Sequence, residues 1–140
     1  MSLTALRKFG RLEAADRRAF VRSGLMILRV RIALAILPFR IVSRAPRANA
    51  GKVADHREIE RTRWAVSTAG QKLGASCLSQ ALAAQRLFAR QGLHTELRFG
   101  AGRPGGEFMA HAWLESSSQV VFGDPQPAAY TSMTKFALEA

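Results

Sequence analysis

The 140-residue chain has a single cysteine, only 10 acidic residues and no uninterrupted apolar run long enough to cross a bilayer. One thiol excludes an intramolecular disulfide and suits a reducing compartment. The first strongly apolar run, Leu25 to Leu37, starts too late for a secretory signal and is interrupted by Arg29 and Arg31. Its 13 residues fall short of the ~20 that a membrane-crossing helix requires. A cytoplasmic location is therefore expected. One cysteine and three histidines offer none of the paired ligand spacings typical of zinc, so no metal and no cofactor is expected. The glycine-rich stretch 102–107 lacks the strand-to-helix setting of a phosphate loop and is read as a turn.

What is abundant is positive charge. The net charge is +11, and residues 1–63 hold 15 of the 21 Lys and Arg against 5 of the 10 acids. The rest of the chain is nearly neutral. Such asymmetry suggests that the first half meets something anionic, an acidic protein or a membrane surface, although a solvated Arg-rich face is the plainer explanation. No aromatic residues interleave the charges as on a base-stacking platform, so a specific nucleic-acid partner is not expected. A hydrophobic fraction of 48% and a charged fraction of 22% are ordinary for a folded protein.

Thr4 to Leu37 is proline-free and rich in Ala, Leu and Arg, which predicts helix with a break near Ser23-Gly24. Leu25, Leu28, Ile32, Ala35 and Ile36 recur at helical spacing and are expected to face the core. Residues 43–52 read as a loop. Asp55 is a suitable N-cap for a helix running to about Val66 or Ala69, with Ile59 and Trp64 inward. A further helix spans Cys77 to Gln91, with Leu78, Ala81, Leu82, Gln85 and Phe88 inside and Gly92 as its stop. The period then changes from helical to two: strands are predicted from Thr95 to Phe99, Phe108 to Glu115 and Val120 to Asp124. The fold class is α+β, with 1–55 a basic helical region packed on a core of 56–140.

Cys77 falls in the first turn of its helix, where unpaired backbone N–H groups and the helix dipole favour a thiolate. Alone, such a cysteine is more often a small buried apolar side chain. The hairpin adds to it. A four-residue loop from Ser116 to Gln119 pairs Glu115 with Val120, Trp113 with Phe122 and His111 with Asp124, which would let the carboxylate orient the imidazole. Cys77, His111 and Asp124 together have the logic of an activated cysteine hydrolase or acyl transferase. The Cys77 N–H is the natural first oxyanion donor; Trp64 and Gln71 lie upstream, and the second donor stays open. His56 and His94 have no comparable partner and read as surface residues.

The segments Ala75-Ser76-Cys77-Leu78-Ser79-Gln80-Ala81, Arg90-Gln91-Gly92, Ala110-His111-Ala112-Trp113-Leu114-Glu115 and Gly123-Asp124-Pro125 resemble the transglutaminase-like core of lasso-peptide leader peptidases. The resemblance implies a papain/transglutaminase-like core, with Cys77 as nucleophile, His111 as general base and acid, and Asp124 as the residue orienting it. It implies removal of a leader peptide from a precursor, whose freed core amine a separate lasso cyclase then joins to a side-chain carboxylate. Residues 1–63 read as helices rather than a winged helix, so a separate leader-recognition protein is the expected partner. An acyl transferase on the same fold, or a basic nucleic-acid or membrane-binding module, are the rival readings.

Overall fold

The computed structural model describes residues 13–102, 106, 109–123 and 131–132. Among the described residues four helices, α1 (Ala14–Ile36), α2 (Phe39–Val42), α3 (His56–Leu73) and α4 (Cys77–Arg90), precede four strands. The strands are β1 (Glu96–Gly102), β2 (Met109–Ser116), β3 (Gln119–Phe122) and β4 (Thr131–Ser132). They form one antiparallel sheet in the order β3-β2-β1-β4. This is the α+β architecture expected from the change of period after Gly92; the two-residue β4 had no signal in the sequence.

α4 is the central element. Its stripe of Ala81, Leu82, Gln85 and Phe88 is buried, and Phe88 and Leu82 meet Leu97, Ala112, Leu114 and Phe122 of the sheet and Ile27, Val30 and Val66 of the other helices in one cluster. Burying each such large side chain contributes about 1.5–3 kcal/mol. α4 runs antiparallel to β1 because two hydrogen bonds pin the connection between them. The Leu93 N–H donates to Phe88 O at 2.9 Å, and the buried Gln85 Nε2 donates to Thr95 O at 3.2 Å. Gly92 makes the turn with φ +88, a conformation costly for other residues.

α1 departs from expectation twice. It is continuous through Ser23-Gly24; a mid-helix glycine costs only about 1 kcal/mol, and Ser23 is buried, sharing a cavity with Thr62 of α3 and Leu87 of α4. The stripe expected to face inward is the exposed one. Leu25, Leu28, Ile32 and Ile36 are 54%, 42%, 61% and 73% exposed, with Ala35 exposed beside them, while Ser23, Met26, Ile27 and Val30 are buried. The helix is apolar on both sides, so periodicity alone did not choose between them. Asp16 of α1 and Arg61 of α3 form an ion pair at 2.8 Å on the inner side.

α3 starts at the Asp55 N-cap, whose carboxylate accepts from the Arg57 N–H at 3.1 Å, and ends at Gly74 with φ +62. It continues to Leu73, one turn beyond the predicted end. Trp64, expected inside, is 38% exposed and tilts against Phe20 with ring centroids 6.5 Å apart.

Candidate active site

Cys77 is the first residue of α4, in the first turn as expected. The Ser76 hydroxyl oxygen accepts from the Ser79 N–H at 3.2 Å, an N-cap, and its O–H donates to Ser79 Oγ at 3.1 Å. The Cys77 and Leu78 N–H groups lie ahead of the first intrahelical carbonyl that could bond them, which leaves them available to a developing oxyanion. The thiol is half-buried against the core.

The turn before Cys77 is held from several sides. Ala75 N–H donates to Gly70 O at 2.9 Å, Gln80 Nε2 to Ala75 O at 3.0 Å, and Arg31 Nη1 to Leu73 O at 3.0 Å. A Cβ at Gly70 would meet the Gln80 side chain and displace it from its bond to Ala75 O. Gln71 is exposed and Gln80 is already engaged.

His111 lies in β2, opposite Gly100 of β1. Its Nε2 is 2.7 Å from Gly123 O. A carbonyl oxygen only accepts, so Nε2 carries the proton and Nδ1 is the basic nitrogen of the neutral ring. The Trp113 ring stacks beside it, centroids 6.4 Å apart at 21°. Gly123, which entered above only within the resemblance, supplies that carbonyl acceptor. Its φ is +94, and a Cβ there would stand 3.0 Å from Trp113 Cβ and 3.1 Å from Ala112 O. Its signal was a glycine directly before Asp-Pro at the end of a strand.

The hairpin differs from the predicted one. Ser117 and Ser118 form a two-residue turn with φ +51 and +66, in place of a four-residue loop. Glu115 pairs with Val120 as expected, but a bulge follows and Leu114, not Trp113, pairs with Phe122. The reason is burial: with the extra residue Val121 in β3, Phe122 shares the core face with Leu114. Asp124, and with it the expected His111–Asp124 pairing, lies outside the described residues, as does most of the glycine-rich turn 102–107. His56 and His94 are exposed.

The antiparallel run of α4 against β1 determines which end of the sheet Cys77 faces. From the Gln85–Thr95 anchor the helix returns eight residues to Cys77, about 12 Å, while β1 advances five residues to Gly100, about 17 Å. Cys77 and His111 thus belong to the same end of the domain. On β2, Ala112 and Leu114 point into the core beneath α4, and the alternate positions His111 and Trp113 take the other face, with Arg98 of β1. Arg98 bridges Glu96 and Glu115 there at 2.6 and 2.8 Å. Among the described residues Cys77 Sγ has no hydrogen-bond partner, and no group of three or more His, Cys, Asp or Glu could hold a metal ion.

A cysteine heading a helix packed on an antiparallel sheet, with a histidine on the second strand, is the arrangement to compare with known families. The chain matches the transglutaminase-like superfamily over residues 24–135 and belongs to it. That fold fits a cysteine peptidase or an acyltransferase. No curated protein and no solved structure matches the chain. No helix among the described residues is long and apolar enough to cross a membrane.

Proposed function

We propose that the protein is a cysteine peptidase that removes the leader from a lasso-peptide precursor, with Cys77 as nucleophile, His111 as base and acid, and Asp124 orienting His111. The observation that supports the histidine's role is the Gly123 carbonyl 2.7 Å from His111 Nε2; on this reading Asp124, the next residue, takes over that Nε2 proton when the ring becomes charged. The carbonyl leaves Nδ1 as the nitrogen that takes the thiol proton. Nδ1 deprotonates Cys77, the thiolate attacks the scissile carbonyl, and the oxyanion meets the Cys77 N–H. The imidazolium then protonates the departing amine, and water, deprotonated by the same ring, releases the leader as a free acid.

The choice of a leader peptide as substrate rests on the resemblance of the segments around Cys77, His111 and Asp124 to lasso leader peptidases. On that reading a separate leader-recognition protein delivers the precursor and a partner cyclase closes the freed core. The test is incubation of the precursor encoded nearby with the protein, with and without the recognition partner, followed by mass analysis. Two fragments whose masses sum to precursor plus water support the peptidase, and their loss in Cys77→Ala assigns the nucleophile. A product carrying an amine in place of water would make it an acyl transferase, and unimpaired cleavage by Cys77→Ala would end the proposal.

A further inference from the structure

The outer face of α1 has no role in the chemistry above, yet it carries the largest exposed apolar side chains of the helix. Val21, Leu25, Leu28, Ile32 and Ile36 are all exposed. At 100° per residue they fall within about 80° of arc and form a straight ridge about 22 Å long. Arg18, Arg22 and Arg29, also exposed, line one flank of that ridge. The only acid of α1, Asp16, is on the inner side and is paired with Arg61.

Beside the arginine flank opens a cleft of about 730 Å³ between α1, the segment 41–49 and the C-terminal half of α4. Arg29, Arg47, Arg86 and Arg90 line it together with apolar Leu37 and Ile41, and among the described residues no carboxylate does. Arg86 is steadied by donating from Nη2 to Val42 O at 3.2 Å. Four guanidinium groups on a wall that holds no carboxylate among the described residues make this cleft favourable to an anion.

We infer that this face rests on an anionic lipid surface, with the α1 ridge at the boundary of headgroups and acyl chains and the arginine cleft taking headgroup phosphates. The ridge is convex and aliphatic, the shape that suits a fluid layer, and its cationic rim selects anionic lipid. Docking against a second copy would oppose two rows of arginines. The helix lies along the surface and does not cross it, since its exposed face is apolar only along one stripe and Arg22, Arg29 and Arg31 interrupt the run.

The test is co-sedimentation of the full chain with vesicles of phosphatidylcholine alone or with roughly 30% phosphatidylglycerol, at about 0.1 M and 0.5 M salt. The wild-type protein is expected to partition at least about tenfold more strongly onto the anionic vesicles at low salt, losing most of that preference at high salt. Leu28→Ser/Ile32→Ser and Arg29→Gln/Arg47→Gln/Arg90→Gln should each weaken binding about tenfold. Unchanged thermal melting shows that these exposed changes leave the fold intact. Equal binding to both vesicle types, or variants that bind like the wild type, would overturn the inference. So would capture of a soluble polyglutamate peptide in place of vesicles, which would assign the face to an acidic protein. A dimer by light scattering that Ile32→Ser dissolves, with no vesicle binding, would assign it to a second copy.

Discussion

His111 Nε2 sits 2.7 Å from the carbonyl oxygen of Gly123, so the backbone just after β3 sets the tautomer of the imidazole on β2. Gly123 is held in that place by its left-handed φ of +94 and by the nearness of Trp113 Cβ. Gly123→Ala adds about 1–2 kcal/mol of backbone cost and pushes against Trp113, which moves the carbonyl. A displacement of about 1 Å at a catalytic group costs on the order of a hundredfold in rate. The expected result is a fall of that size in kcat/KM for precursor cleavage with the circular dichroism spectrum retained. A rate within twofold of wild type would mean that this carbonyl does not position the ring.

Replacing Ser76 separates the stability of the helix start from its chemistry. Ser76→Ala removes the acceptor of the Ser79 N–H at 3.2 Å, a cap worth about 1 kcal/mol, and should lower Tm by a few degrees. Cys77→Ala should leave Tm within a degree or two, since the half-buried thiol contributes little packing, while abolishing cleavage. Iodoacetamide labelling at Cys77 followed by mass analysis should slow in Ser76→Ala. Equal labelling rates in the two proteins would show that the cap does not order the nucleophile's turn.

Where one signal dominated, the sequence was enough. The Asp55 cap, the inner stripe of α4 and the period-two run of β1 each left a single physical solution, and the chain takes it. α1 had two apolar faces. Choosing between Leu25-Leu28-Ile32 and Met26-Ile27-Val30 depends on which surfaces α3 and α4 present, and that information is far away in the chain. The hairpin register failed for a related reason. Ser117-Ser118 lacks the Asn-Gly signature of a turn with two positive φ values, and the bulge at Val121 answers to the burial of Phe122, a tertiary demand. Cys77 and His111 were legible as chemical types with neighbours. The Gly123 carbonyl was not, because backbone acceptors leave no mark in a sequence.

The antiparallel return of α4 onto β1 rests on a polar contact in a dry place. Gln85 is buried and its Nε2 donates to Thr95 O at 3.2 Å. Gln85→Met conserves length and volume but leaves that carbonyl unpaired, a cost of about 1–3 kcal/mol. Urea unfolding should show the midpoint falling with an unchanged m-value. A variant as stable as wild type would show that the Thr95 carbonyl finds another donor and that the contact is dispensable.

Two glycines with positive φ distinguish conformational strain from steric exclusion. Gly74, at φ +62, ends α3 with nothing within 4 Å of where a Cβ would stand, so Gly74→Ala meets only the cost of the left-handed conformation, about 1 kcal/mol. Gly92, at φ +88, meets that cost and a collision: its Cβ would run into the Lys52 carbonyl, in the segment that Asn49 docks on α4 through its N–H to Ala89 O at 2.8 Å. Backbone cannot swing aside as a side chain does, so either the 43–55 segment lifts from the end of α4 or the turn into β1 deforms. Gly92→Ala is therefore expected to lose upwards of about 3 kcal/mol and Gly74→Ala about a third of that. Thermal melts of the two variants side by side measure the difference. Equal losses would mean that Lys52 does not lie over Gly92, and that the loop packs on the helix differently from the arrangement described.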